Sequence, residues 1–133
     1  MLHFGNKPPF SFTRLIEICQ DLIPEKDYQI LKFCVGPGLL EGNIQQETLK
    51  NWINFEIGLR NELVKIRASR KKIEPTKYLR RDIQGDSEIY HIAMNSYRIP
   101  SLIESEKFLD LKRWHKLEEL SSNHYFDLDA LIA

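Results

Sequence analysis

Several things are scarce in this sequence. Cysteine occurs twice, as Cys19 and Cys34. So few cannot staple a disulfide scaffold. One bridge between the two is conceivable, but a chain without an export signal is expected to keep both as free, buried thiols. The N-terminal stretch MLHFGNKPPF lacks the basic region and the long apolar core of a signal peptide. No uninterrupted run of about 18 apolar residues occurs, which excludes a membrane-spanning helix. Excess charge is missing too: 19 Lys and Arg face 19 Asp and Glu, for a formal net charge of zero. The whole molecule is therefore not drawn non-specifically to polyanions. Period-two alternation is hard to find, as are a fixed repeat and a low-complexity tract.

What is there describes a globular chain. Apolar residues make up 42% and charged residues 29% of 133 residues, enough for one core and too short for two ample ones. Residues 1–133 read as a single helical domain in the cytoplasm. Gly5, Pro8 and Pro9 mark an extended lead-in, and Ser11 is placed to cap a helix. Phe12, Leu15, Ile16, Cys19, Leu22 and Ile23 follow at helical spacing, so residues 12–22 form the first helix. Pro24 opens a second, with Tyr28, Ile30, Leu31 and Phe33, which VGPG at 35–38 breaks. Residues 39–43 are a linker or short turn. A long helix runs from about Gln45 to Lys71. Beyond Glu74-Pro75 a short helical turn holds Tyr78 and Leu79. Asp86 or Ser87 caps the next helix, which carries Ile89, Tyr90, Ile92, Ala93 and Tyr97 up to Pro100. Another carries Phe108, Leu111, Trp114, Leu117 and Leu120 until Ser121, Ser122 and Asn123 break it. The class is all-α: a bundle of about six helices around one long central helix.

The long helix, NWINFEIGLRNELVKIRASRKK at residues 51–72, is the most informative stretch. With Trp52 at zero on a helical wheel, Phe55, Leu59, Leu63 and Ile66 fall within roughly 80°. Ile53, Ile57 and Val64 form a second stripe about 120° away. Two apolar stripes on one helix demand neighbours on both sides. The core is therefore expected to unite the first stripe with Leu15, Cys19, Leu22 and Trp114. Glu56, Arg60 and Arg67 lie between the stripes. Glu56 and Arg60 have the favourable order for an i,i+4 ion pair, either partly buried under a partner or solvated with the stems lying over the apolar rows.

Residues 60–81 are strongly basic. Arg60, Lys65, Arg67, Arg70, Lys71, Lys72, Lys77, Arg80 and Arg81 meet only Glu62 and Glu74, which leaves the rest of the chain acidic. A nucleic-acid site wants its cations on one face among exposed aromatics. On the wheel, Lys65 and Lys72 point away from Arg67 and Arg70. Cations in a last helical turn also complement the negative end of the helix dipole. The favoured reading is structural, with a contact to an acidic protein partner as its functional form.

Catalytic patterns do not appear. GPG at 36–38 lacks the following Gly-Lys-Ser/Thr of a phosphate loop. His3, His91, His115 and His124 have no His or Cys at ligand spacing. No nucleophile-elbow pattern is present, and Glu118–Glu119 and Asp127–Asp129 read as solvated or helix-start acids. No catalytic, cofactor or metal residue is assigned. An enzyme would need a site assembled in space from distant residues.

Three stretches carry a resemblance that covers nearly the whole chain. They are FGNKPPFSF with LIEICQDLI after it, NWINFEIGLRNELVKIRASRKK leading to KYLRRD, and LDLKRWHKLEELSSNHYFDLDALIA. Together, in this order and spacing, they resemble a little-characterised bacterial family encoded within V-type (A/V-type) ATP synthase operons. That family in turn looks like a shortened or divergent relative of the synthase's stalk-to-rotor connector. The connector is an all-helical protein that seats the central stalk on the rotor ring and catalyses nothing. The resemblance implies a non-catalytic subunit or assembly factor, with other synthase subunits as partners. It implies a place at the inner face of the plasma membrane, while the residues themselves point to no cofactor, no nucleic acid and no direct membrane span. Arg60, Arg67, Arg80 and Arg81 are the residues expected to meet a partner's carboxylates, because Arg pairs with them bidentately. Family chains carry a Tyr- and Leu-rich lead-in before this start and further helix after HYFDLDALI. The sequence thus reads as a short member or a truncated piece, for which a homodimer would cover the missing surface. The alternative is a general helical interaction or regulatory protein, in its sharpest form one binding nucleic acid through residues 60–81.

Overall fold

A computed structural model describes residues 3–34, 46–80 and 86–122, and beyond them the single positions 124, 128 and 132. Among the described residues all regular structure is helical and no strand occurs. Five α-helices occur in the order α1 (Phe12–Gln20), α2 (Glu25–Phe33), α3 (Glu47–Lys71), α4 (Ser87–Arg98) and α5 (Leu102–Ser121). A 3-10 turn, Thr76–Tyr78, sits between α3 and α4 where the sequence places a short turn. VGPG, the linker after it, and the closing HYFDLDALIA apart from positions 124, 128 and 132 lie outside the described residues.

Side chains start most of these helices. Ser11 accepts from the Arg14 amide, Asp86 from the Ile89 amide and Ser101 from the Glu104 amide. Each satisfies one of the four amides that a helix N-terminus leaves without a partner. Gln46 does the same for α3, accepting from Leu49 at 2.7 Å. Pro24 is the residue before α2, which begins at Glu25. The long helix stops in a Schellman arrangement: Lys72 takes the left-handed conformation at φ 54°, and the Ile73 amide reaches back to the Ala68 carbonyl at 3.0 Å.

The central bundle is α3, α4 and α5. Phe55, Leu59 and Leu63 of α3 are buried with Ile89, Ile92 and Ala93 of α4 and Leu109 of α5, and Trp52, Ile66 and Phe108 pack against them. Phe55 lies by Ile89 and Ile92, whereas Leu63 and Ile66 lie by Ser96 and Tyr97. The two helices are therefore parallel. Helix α5 runs back: Ser105 is bonded to Ser96 at one end, and Lys112 and Lys116 lie near Asn51 and Asn54 at the other. Ile53 and Ile57 of the second stripe are also buried and Val64 is half-buried, so both stripes of α3 are covered as its pattern demands. Helices α1 and α2 pack on each other and bury Cys19, Tyr28 and Leu31.

Leu22 departs from the expected core: it is 75% exposed. Helix α1 ends at Gln20, two residues earlier than its spacing predicts, with Asp21 as cap. Beyond the cap the chain no longer turns by about 100° per residue, so Leu22 leaves the stripe. Leu15 and Trp114 are half-buried, and neither they nor Cys19 belong to the cluster that the first stripe forms with α4 and α5. The Trp114 indole donates to Glu118 at 2.9 Å, while its ring meets that of Phe4 in an edge-to-face arrangement with centroids 5.9 Å apart. A polar handle on an apolar body holds such a side chain at a boundary.

Candidate interaction surface

The four arginines picked out by the sequence have four different placements. Arg60 donates to Glu56 at 3.0 Å, as the i,i+4 spacing requires. Glu56 is only 5% exposed, and its second oxygen accepts from Arg113 of α5, also at 3.0 Å. Arg113 in turn bonds Asp110 at 2.9 Å. Burial pulls the Arg113 proton affinity down, but the hydrogen bonds and charges of Glu56 and Asp110 outweigh it, and the net shift is upward. Arg60 thus belongs to an internal network that ties α3 to α5. The second partner of Glu56, Arg113, went unnoticed in the sequence, because a pair 57 residues apart leaves no spacing signal.

Arg80 is exposed, and its backbone is fixed: the amide donates to Asn61 Oδ1 at 2.9 Å and the carbonyl accepts from Asn61 Nδ2 at 2.8 Å. Arg81 lies outside the described residues. Arg67 is exposed and lines a groove. Asn61, which anchors Arg80, sits about 120° around α3 from Arg67. The fold does not gather Arg67 and the Arg80 backbone on one face.

Arg67 instead keeps company with Arg70 and Lys71. The three rim a groove of about 450 Å³, walled by Leu63 and Ile66 of α3, by Ser96, Tyr97, Ile99 and Pro100, and by Leu102 and Ser105 of α5. Ser96 and Ser105 bond each other at 2.7 Å, so these hydroxyls at the wall are satisfied. The Arg70 guanidinium lies over the Tyr97 ring, 5.9 Å from its centre. Among the described residues none of the three cations has an ion-pair partner. Elsewhere in the basic stretch, Lys65 pairs with Glu62 at 3.0 Å and Lys77 lies over Tyr78. Leu102 and Ile103 beside the groove are 73% and 69% exposed.

Tyr97 and Leu102 are the groove residues that sequence reasoning missed, while Arg70 and Lys71 were read there as last-turn cations and not as site residues. One signal was available. Arg70 stands 18 residues after Trp52, five whole turns, so it continues the first apolar stripe of α3. A stripe that ends in cations marks where internal packing gives way to surface.

A second groove, of about 740 Å³, opens at the other end of the bundle and is polar. Asp86, Glu88 and Glu119 share it with Lys112, His115 and Lys116. Two of its cations are engaged: Lys116 pairs with Glu119 at 3.2 Å, and Lys112 lies over Phe108. Among the described residues no group of three or more His, Cys, Asp or Glu is arranged to hold a metal ion, and no helix is long and apolar enough to cross a membrane. No family model matches the chain, and neither does any curated protein or solved structure. The family resemblance therefore stands on the quoted stretches alone.

Proposed function

We propose that this chain is a non-catalytic helical interaction protein. Its partners would be subunits of a V-type ATP synthase, with the chain acting as a connector between central stalk and rotor ring or as an assembly factor. The observation that carries the interaction reading is the groove at the end of α3, where Arg67, Arg70 and Lys71 stand without ion-pair partners among the described residues, beside exposed Tyr97 and Leu102. Unpaired cations around an apolar trough are more useful to a partner than to the chain's own stability. The synthase half of the reading is supported by the sequence resemblance. A place at the inner face of the membrane follows from that half and from nothing else.

Nucleic-acid binding through residues 60–81 is less favoured. Lys65 and Arg60 are paired within the chain, and the anchor of Arg80 lies on another side of α3 from Arg67. Only part of the basic stretch could follow one phosphate backbone. The test is a pull-down with the tagged chain from cells that make the synthase. Named synthase subunits are expected in the eluate. Their absence would remove the synthase half of the proposal, and tight, salt-dependent binding to mixed DNA or RNA would promote the nucleic-acid reading in its place.

A further inference from the structure

The groove's geometry points to one kind of occupant: an amphipathic helix from a protein partner, with leucine-like residues on one face and carboxylates flanking them. This deepens the interaction reading above and rests on it. On α3, Leu63, Ile66, Arg67 and Arg70 line the groove at spacing i, i+3, i+4, i+7. That is the face by which one helix meets another. The opposite wall supplies Leu102 and Ser105, again three apart on a helix. A trough between two helical ridges is the shape that a third helix fills. Leu63 and Ile66 form the apolar floor, while Tyr97 and Leu102 stand exposed at its edge.

Charge chooses among helices. Arg67, Arg70 and Lys71 rim the trough without acidic partners among the described residues, so a helix carrying Lys or Arg beside its apolar face would meet like charge. A helix carrying Glu or Asp would place carboxylates against two guanidinium groups capable of bidentate bonds. The Arg70–Tyr97 contact holds one of those guanidinium groups over the trough's wall before any partner arrives. The cations also lie at the C-terminal end of α3, where the helix dipole favours positive charge. That accounts for Arg70 and Lys71 being tolerated there, and it gives no reason for the apolar trough beneath them.

The experiment is a selection from a displayed peptide library on the full chain, followed by titration of the recovered peptides. Recovered peptides should share apolar residues at i, i+3, i+4, i+7 with flanking Glu or Asp. They should shift the amide resonances of residues 63–71 and 97–105. The Arg67→Glu, Arg70→Glu variant should bind them at least about tenfold more weakly while keeping its helical circular dichroism. Recovery of no peptides, of basic peptides, or of peptides indifferent to the double variant would overturn the inference. So would anionic phospholipid vesicles or mixed DNA displacing bound peptide from the same residues. The two proposals fail separately. Synthase subunits captured equally by wild type and double variant would sink the groove and spare the synthase reading. Acidic helices bound at the groove without capture of synthase subunits would do the reverse.

Discussion

Asn61 and Arg80 are joined by two hydrogen bonds, one in each direction. The side-chain amide of Asn61 gives Nδ2–H to the Arg80 carbonyl at 2.8 Å and takes the Arg80 amide on Oδ1 at 2.9 Å. A side chain here does what a neighbouring β-strand would do for an extended residue. The link holds the returning chain against α3 and so sets where the path to α4 begins. Asn61 is 2% exposed, so its polar atoms depend on such partners. Asn61→Ala should cost about 1–3 kcal/mol in urea denaturation. Asn61→Asp, which keeps an acceptor but buries a carboxylate with one oxygen against the Arg80 carbonyl, should cost at least as much as Ala. Amide exchange at Arg80 should speed up in the Ala variant before exchange in the α3 core does. Unchanged exchange there would mean that the pair holds nothing.

Lys72 occupies a position that suits glycine. Its φ of 54° places Cβ close to the following carbonyl, which a glycine would avoid. Lys72→Gly should therefore stabilise the chain by about 1 kcal/mol, seen as a higher thermal midpoint. The reversed sign would show that the lysine side chain makes a contact worth more than the backbone relief.

The core stripes provide a paired test. Leu59 is fully buried, so Leu59→Ala should cost about 2–5 kcal/mol. Leu22 is 75% exposed, so Leu22→Ala should stay within about 0.5 kcal/mol. Denaturant midpoints of the two variants measured side by side decide whether α1 ends where the structure ends it.

That comparison also shows what the sequence could convey. The periodicity of α3 made its two stripes legible because burial repeats at the helical period over 25 residues. Capping oxygens made the starts of α1 and α4 legible, since Ser11 and Asp86 act within three residues. The end of α1 was not sharply legible: no glycine follows it, Pro24 stands three residues past the Asp21 cap, and Leu22 keeps the spacing after the helix has stopped. The candidate site was visible only in part. Arg67 was picked out by charge, but its companions Tyr97 and Leu102 come from α4 and α5, and tertiary neighbours leave no local pattern. Arg60 was chosen for the same charge, and the i,i+4 pair with Glu56 that its spacing made legible is present.

Cys34 offers a chemical check on α2. Its thiol donates to the Ile30 carbonyl at 3.4 Å, and burial pushes its pKa up from 9.0 to about 11, against a smaller lowering by its own backbone. At pH 8 the thiolate fraction falls by about 100-fold relative to an unshifted thiol. Alkylation by iodoacetamide at pH 8 should therefore be slow at Cys34 in the folded chain and fast after denaturation. As pH rises toward 11, the folded-state rate should climb with the thiolate. Rapid modification at pH 8 would mean that the end of α2 opens readily.

The Glu56 network separates a surface charge from a structural one. Glu56 accepts from Arg60 and Arg113 at the same distance, 3.0 Å, but the two arginines differ in exposure: 45% of the Arg60 side chain is accessible against 24% of Arg113. Arg60 sits one turn along the same helix, so its bond adds little that α3 does not already have. Arg113 reaches across from α5, and losing it removes a link between helices. A carboxylate that is 5% exposed would then keep one partially solvated counter-charge. Arg60→Ala should cost under about 1 kcal/mol, in the range of exposed pairs. Arg113→Ala should cost about 1.5–3 kcal/mol, in the range of hydrogen bonds to charged groups. In a double-mutant cycle, the Glu56→Gln background should reduce the Arg113 effect more than the Arg60 effect, because the coupling lies mainly across the α3–α5 contact. Equal costs for the two arginines would show that burial of Glu56 does not distinguish them. Arg60 would then return to the set of residues to test against a partner.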